Sequence, residues 1–256
     1  MSEAAALMRA RAPVDSRLHF RFPQDEAVAA GVLVASYWWR KPYLEAVQEF
    51  AKENNCDLIS IGQLIDDGEL SVTDGHGSPS SHFKGQGDVP YVKVVDIKNW
   101  RINENPSYEI PAAEAKRLRR AKVLRPWDIV TPTRASGNIG LFGVVMPWQT
   151  QVILTREIAV WRVMAGAKVL SPSLLLALMS LHVVHDQFNF AVLIQMNRED
   201  LGSRFRQVVL PIPKSRDLLR SWVEPVDRYL KAQEAARSSY TELGQHLAPE
   251  LFADRP

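Results

Sequence analysis

His182 and His185 lie three residues apart in a helical pattern and are followed by Asp186, so they could share a helix face and hold a metal ion. No third ligand motif accompanies them, and no acid stands ready as a base, which favours a helix end with exposed histidines. Asp66 and Asp67 are adjacent, so on a strand they would point to opposite faces and give little support to paired-carboxylate catalysis. Gly75-His76-Gly77 is a GxG, but a serine-proline loop follows it where a cofactor turn would open a helix. Neither a nucleophile elbow nor a phosphate-cradling loop is visible. The chain therefore reads as a binding protein, with no catalytic residue and no metal site of its own.

Binding chemistry is better represented. AKRLRRAKVLR (115–125) concentrates Lys116, Arg117, Arg119, Arg120 and Lys122 in one stretch, and REDLGSRFR (198–206) adds three more arginines. Such runs suit a polyanion, and they equally suit a solvated helix face. The loop DGHGSPSSHFKGQGD (74–88) offers His76, Ser78, Ser80, Ser81, His82 and Lys84. Arg134, Ser136 and Asn138 form a second small polar cluster at an apparent strand turn. Lysine and arginine anchor phosphates, while Asn, Gln, Ser, Arg and Lys also read base edges. Loops set on a rigid scaffold often carry recognition. Residue by residue, exposed loop filler is an equally available reading.

These residues must be held by the surrounding elements. Nearly half of the 256 residues are hydrophobic, which excludes a disordered chain and allows a sizeable core. The formal net charge of +2 is too small to decide a partner. One cysteine, Cys56, excludes an intramolecular disulfide framework and fits a reducing compartment. The opening MSEAAALMRARAPVDSR mixes charge where a signal peptide would be apolar, and AVAAGVLVASYWW (27–39) is short for a membrane span. The expectation is a cytoplasmic protein with no membrane association.

Residues 1–15 read as a disordered lead-in and RLHFRF (17–22) as a strand. KPYLEAVQEFAKENN (41–55) reads as an amphipathic helix. Strands are expected over 57–65, 89–97, 107–111, 128–133 and 139–146, with 151–163 rich in β-branched residues. Helices are expected over 112–124 and 171–185, the latter with Ser171 as N-cap and Pro172 in its first turn. Pro211 and Pro213 close the globular part. The class is α+β: a twisted mixed sheet with flanking helices over 16–214, then a long coiled-coil-type helix over 215–248.

That tail carries Leu219, Trp222, Val226, Tyr229, Gln233, Ala236, Tyr240, Leu243 and Leu247 at alternating steps of three and four. This is the seam of a coiled coil, with Gln233 as the polar position that fixes register. A dimerisation or partner-binding helix is expected. An amphipathic helix docked on its own domain has the same pattern.

Asn105-Pro106-Ser107-Tyr108 is similar to the tetrapeptide with which amino-methyltransferases hold the amino group being methylated, with Ser107 in place of the second proline. No methyl-donor fold fits beside it, and a turn into a strand is the better reading. The ordered motifs resemble something else. A Gly/Ser loop followed by GDVPYVKVVDI (87–97) resembles the start of a target recognition domain in the specificity subunit of type I restriction-modification systems. Ser16-Arg17-Leu18 resembles the family's first strand, with His19 where an acid is common. Leu124-Arg125-Pro126-Trp127-Asp128-Ile129-Val130 resembles its "gD-il" step, with Trp127 in the usual glycine place. Ser136-Gly137-Asn138-Ile139-Gly140, Leu170-Ser171-Pro172-Ser173-Leu174-Leu175 and Val209-Leu210-Pro211-Ile212-Pro213 resemble the later "iG", "sP-yL" and "l-iPlP" motifs in order.

The resemblance implies a non-catalytic module that reads duplex DNA while a partner methyltransferase modifies adenine. S-adenosylmethionine would then belong to the partner, and this chain would need no cofactor. Full specificity subunits hold two recognition domains and two conserved helices, whereas this chain has one of each. Ser215-Arg216-Asp217 replaces the glutamine-rich start of the helix. A half-subunit that pairs with a second copy, a single module beside one methyltransferase, and a related phage-defence component all fit. A stand-alone nucleic-acid-binding regulator remains the alternative, and an enzyme with a metal or methyl-transfer site the more distant one.

Overall fold

The computed structural model describes residues 41–247 apart from 107, 121, 135–136, 192 and 196–197. The expectations for residues 1–40 and for Ser136 lie outside the described residues. In chain order the elements are α1 (Lys41–Glu53), β1 (Cys56–Ser60), α2 (Ile61–Asp66), β2 (Leu70–Asp74), β3 (Val89–Val92), β4 (Ile97–Lys98), β5 (Arg101–Ile102), β6 (Glu109–Ile110) and α3 (Ala112–Arg119). There follow β7 (Ile129–Pro132), β8 (Gly143–Val144), β9 (Ile153–Leu154), β10 (Ile158–Val163), α4 (Pro172–Met179), α5 (His182–Ala191), β11 (Leu193–Gln195), β12 (Arg198–Asp200), β13 (Val209–Pro213) and α6 (Arg216–Leu247).

The α+β class and the long C-terminal helix stand as read. The strands are parcelled into small sheets rather than one continuous sheet. The largest is four-stranded and antiparallel, in the order β2-β10-β7-β8, and the parallel β3–β9 pair makes the three-stranded sheet β6-β3-β9 mixed. Strand β10 shows why IAVWRV has so few polar positions. Ala159 and Trp161 face one apolar cluster, where Trp161, Phe142 and Phe188 meet edge to face at 5.4–6.1 Å. Ile158 and Val160 face another, with Val92, Val130 and Leu154. A strand covered on both faces loses the alternation of a half-exposed one.

Several boundaries differ from expectation for local reasons. Residues 57–65 are a strand only to Ser60, whose hydroxyl then caps α2 by accepting the Gln63 N–H at 3.1 Å. The α4 cap is as read, with the Ser171 hydroxyl accepting the Leu174 N–H at 3.1 Å. That helix stops at Met179, however, and α5 begins anew at His182. Pro211 and Pro213 do not end regular structure. They lie within β13, which among the described residues pairs only with β1, so their missing N–H groups cost no ladder bond on its other edge there.

One buried acid organises the approach to α4. The Glu69 carboxylate accepts the backbone N–H groups of Lys168, Val169 and Leu170 at 2.8, 2.8 and 3.1 Å, and these bonds hold its pKa below the ordinary value.

Candidate nucleic-acid interface

The register of the large sheet brings three connections to one end. Asp74, the last residue of β2, pairs with Ala159, and Pro132, the last of β7, pairs with Ile158 at the start of β10. The loop 75–88, the turn 155–157 and the connection 133–142 therefore leave the sheet side by side.

The loop 75–88 is fixed at both ends. A Cβ on Gly75 would lie 2.0 Å from the Thr155 carbonyl oxygen, so only glycine permits that approach. At the far end Gly87, at φ 136°, lies so close to the Ile110 backbone that a Cβ would come within 2.5 Å. Ser78, Ser80, Ser81, His82 and Lys84 are exposed between these anchors, and His82 tilts onto Phe83 with ring centroids 4.0 Å apart. His76 is a correction to the sequence reading. It is only 8% exposed, its N–H donates to the Leu154 carbonyl at 3.0 Å, and its Nδ1 accepts the Leu154 N–H at 3.0 Å. The imidazole proton therefore sits on Nε2. Burial, with the charges of Lys122 and Arg119 behind it, pushes its pKa down to about 4. His76 is a neutral clamp, not an exposed reader.

The basic helix divides in two. Leu118 and Ala115 pack with Tyr91, Ile110 and Ile153, which sets α3 beside the loop. Arg117 forms a two-bonded ion pair with the buried Glu114 at 2.6 and 2.7 Å, and Arg119 donates to the Gln151 carbonyl at 2.6 Å. Lys122 is half-buried, and that burial lowers its pKa. Arg117 is exposed but paired, Arg119 and Lys122 are half-buried, and Lys116 and Arg120 are exposed.

The 134–138 cluster is partly engaged by the fold. Asn138 is half-buried and its amide donates to the carbonyls of Val94 and Ile97 at 3.2 and 3.4 Å, tying the turn to the β3–β4 connection. Arg134 is half-buried as well. A position the sequence reading passed over stands between the loops. Residues 151–163 break at 155–157, and Arg156 is exposed there.

Trp127 has φ 72°, in the left-handed region, at the place where the "gD-il" motif ordinarily has glycine. Behind it Asp128 is buried and accepts Arg162 Nε and Nη2 at 2.7 and 2.6 Å.

His182 is exposed, and His185 is half-buried against Gly140. Among the described residues no group of three or more metal-ligating side chains occurs. The Asn105 carbonyl accepts the Asn103 amide at 3.0 Å, and Tyr108 lies under the Lys93 ammonium at 4.1 Å.

The tail helix is docked along its first half. Val226 and Leu230 are buried in the main core, Leu219, Trp222 and Tyr229 pack against it, and Tyr229 meets Trp100 edge to face at 5.1 Å. Gln233 lines a groove of about 430 Å³ with Lys98, Arg101 and Trp148. Farther on, Tyr240 and Leu243 are 56% and 48% exposed. The seam is thus intramolecular through Leu230, and its exposed large side chains lie farther on, at Tyr240 and Leu243. No helix among the described residues is long and apolar enough to cross a membrane.

No protein-family model and no curated protein matches the chain. Among solved structures it is similar to the HsdS subunit from Thermoanaerobacter tengcongensis, with a TM-score of 0.43 and 16% identity over 78% of this chain and 47% of that one. It is also similar to the type-I restriction-modification S subunit from M. genitalium, with a TM-score of 0.47 and 10% identity over 78% and 47%. A further chain, from a structure of the assembly of a type I R-M system, gives a TM-score of 0.44 and 17% identity over 88% and 57%. The chain spans about half the length of the solved structures it matches.

Proposed function

We propose that this chain is a sequence-specific DNA-binding module that directs a partner DNA adenine methyltransferase, within a restriction-modification or related defence system of the cytoplasm. The observation that carries the reading is the gathering of three anchored connections at one sheet end, with exposed Lys84, Lys116, Arg120 and Arg156 around them. A duplex presents phosphates at its rim and base edges in its groove, and such a face offers cations for the first and short polar side chains for the second. The left-handed backbone at Trp127 supports the same assignment, because it keeps the turn of the "gD-il" motif without its glycine. The exposed end of α6 is the surface for the methyltransferase or for a second copy of the chain. Recognition is the contribution of this chain, and S-adenosylmethionine is the partner's cofactor.

The test has two arms. Fluorescence anisotropy with a duplex of random sequence should give an affinity that falls steeply with salt. Lys116→Ala with Arg120→Ala should lower the slope of log affinity against log salt by about 2. Affinity purification from the native host should recover a methyltransferase. Salt-independent binding, or a purified complex without one, overturns the corresponding half of the proposal.

A further inference from the structure

We propose that Arg156 reads a guanine at the centre of this face. The inference rests on the DNA-binding reading and goes beyond it by naming the base and the side chain that meets it.

The turn 155–157 is clamped on both flanks. On one side His76 holds Leu154 through the two 3.0 Å hydrogen bonds, and Gly75 sits against the Thr155 carbonyl. On the other, Thr133 donates to the Glu157 carbonyl twice, from its N–H at 2.8 Å and its hydroxyl at 3.1 Å. The turn closes on itself through the Ile158 N–H and the Thr155 carbonyl at 3.2 Å, and the Thr155 N–H donates to the Val92 carbonyl at 3.0 Å. Thr155 is buried and Glu157 half-buried, which leaves Arg156 as the exposed residue of the turn.

The guanidinium is also uncommitted. Arg117, Arg119, Arg162, Arg204, Arg206 and Arg237 all donate to carboxylates or backbone carbonyls. Among the described residues Arg156 has no such partner. Its neighbouring acid, Glu157, instead accepts the Thr155 hydroxyl. An arginine on a fixed backbone loses only side-chain freedom when it binds, and its planar fork matches the O6 and N7 acceptors that guanine presents in the major groove. Lys116 and Arg120 stand to one side on α3 and its cap, where phosphates suit them, whereas Arg156 lies between the loops.

The experiment uses the full chain. Duplexes bound from a randomised library are sequenced, and the selected duplex is titrated at one salt concentration beside versions in which each guanine is replaced in turn. Wild-type protein should lose about tenfold to a hundredfold in affinity at one guanine. Replacing that guanine with 7-deazaguanine, which lacks the N7 acceptor, should weaken wild-type binding too. Arg156→Lys should bind random DNA as the wild type does yet lose the discrimination, and Arg156→Ala should be indifferent to 7-deazaguanine. Both variants should melt with the wild type. Two results overturn the inference and leave DNA binding standing: Arg156→Lys keeping full discrimination, or Arg156→Ala weakening every duplex by one common factor, which marks a phosphate contact. A wild-type protein that binds no duplex overturns the DNA-binding reading itself, and this inference with it.

Discussion

Asp128, the residue before β7, and Arg162 in β10 form a two-bonded ion pair at 2.6 and 2.7 Å, with the carboxylate 2% exposed. The same carboxylate accepts the Arg125 N–H at 2.8 Å, and the guanidinium also donates to the Val123 carbonyl. Asp128→Ala should therefore cost about 3 kcal/mol, because it strands a partly buried charge. Asp66→Ala breaks the Arg206 pair, whose members are 69% and 38% exposed, and should cost under about 1 kcal/mol. Urea unfolding of the two variants distinguishes the cases, and equal losses would contradict the structural role given to Asp128.

His76 gives a pH signature. An unfolded histidine titrates near 6.5, and the folded one is held to about 4. Between those values the unfolded chain binds more protons, so this contribution is complete above 6.5 and is lost as pH falls toward 4. Going from pH 7 to pH 5 should remove about 2 kcal/mol through this group. His76→Asn keeps an acceptor for the Leu154 N–H without a titrating group. Unfolding free energies of both proteins at the two pH values should show a shallower loss in the variant, and parallel losses would deny His76 its neutral, buried role.

At Trp127 two substitutions separate backbone from side chain. Both Trp127→Ala and Trp127→Gly lose the ring, which packs against the main core. Only glycine relieves a φ of 72°. The glycine variant should be the more stable by about 1 kcal/mol, after its greater freedom in the unfolded chain is subtracted. Thermal melts that rank alanine above glycine would refute the strain.

The tail separates by position. Val226→Asp puts a charge into the core and should unfold the protein or cost several kcal/mol, on the order of a lost buried side chain plus a desolvated charge. Truncation after Pro213 should do the same, since it also removes Leu230. Leu243→Asp should leave the melting temperature unchanged and weaken association with the partner or a second copy. Light scattering and pull-down read the second effect, and a Leu243→Asp protein with intact association would locate the interface elsewhere.

What the sequence revealed followed the range of the forces involved. The α4 start was legible because Ser171 and Pro172 act within one turn. The partners of Asn138 and His76 lie 44 and 78 residues away, so local polarity could not show that these side chains are hydrogen-bonded into the fold. Arg156 was hidden in a β-branched run whose break is imposed by clamps from the neighbouring connections. The heptad spacing of α6 announced an apolar stripe, but a stripe does not say whose surface covers it. Here the first half is covered by the chain's own core.

The double anchoring of the loop 75–88 separates two kinds of selection. Between Gly77 and Gly85 only Pro79 is buried, so the tip is insulated from the energetics of the core. Substitutions at Ser78, Ser80, Ser81, His82 or Lys84 carry little penalty in stability, as exposed positions do. Those at Gly75, His76 or Gly87 meet backbone or lose a buried hydrogen bond. A lineage of this protein is thus free to rewrite the tip while the frame stays under constraint, and exchanging 78–84 for another polar sequence of equal length should leave the scaffold intact.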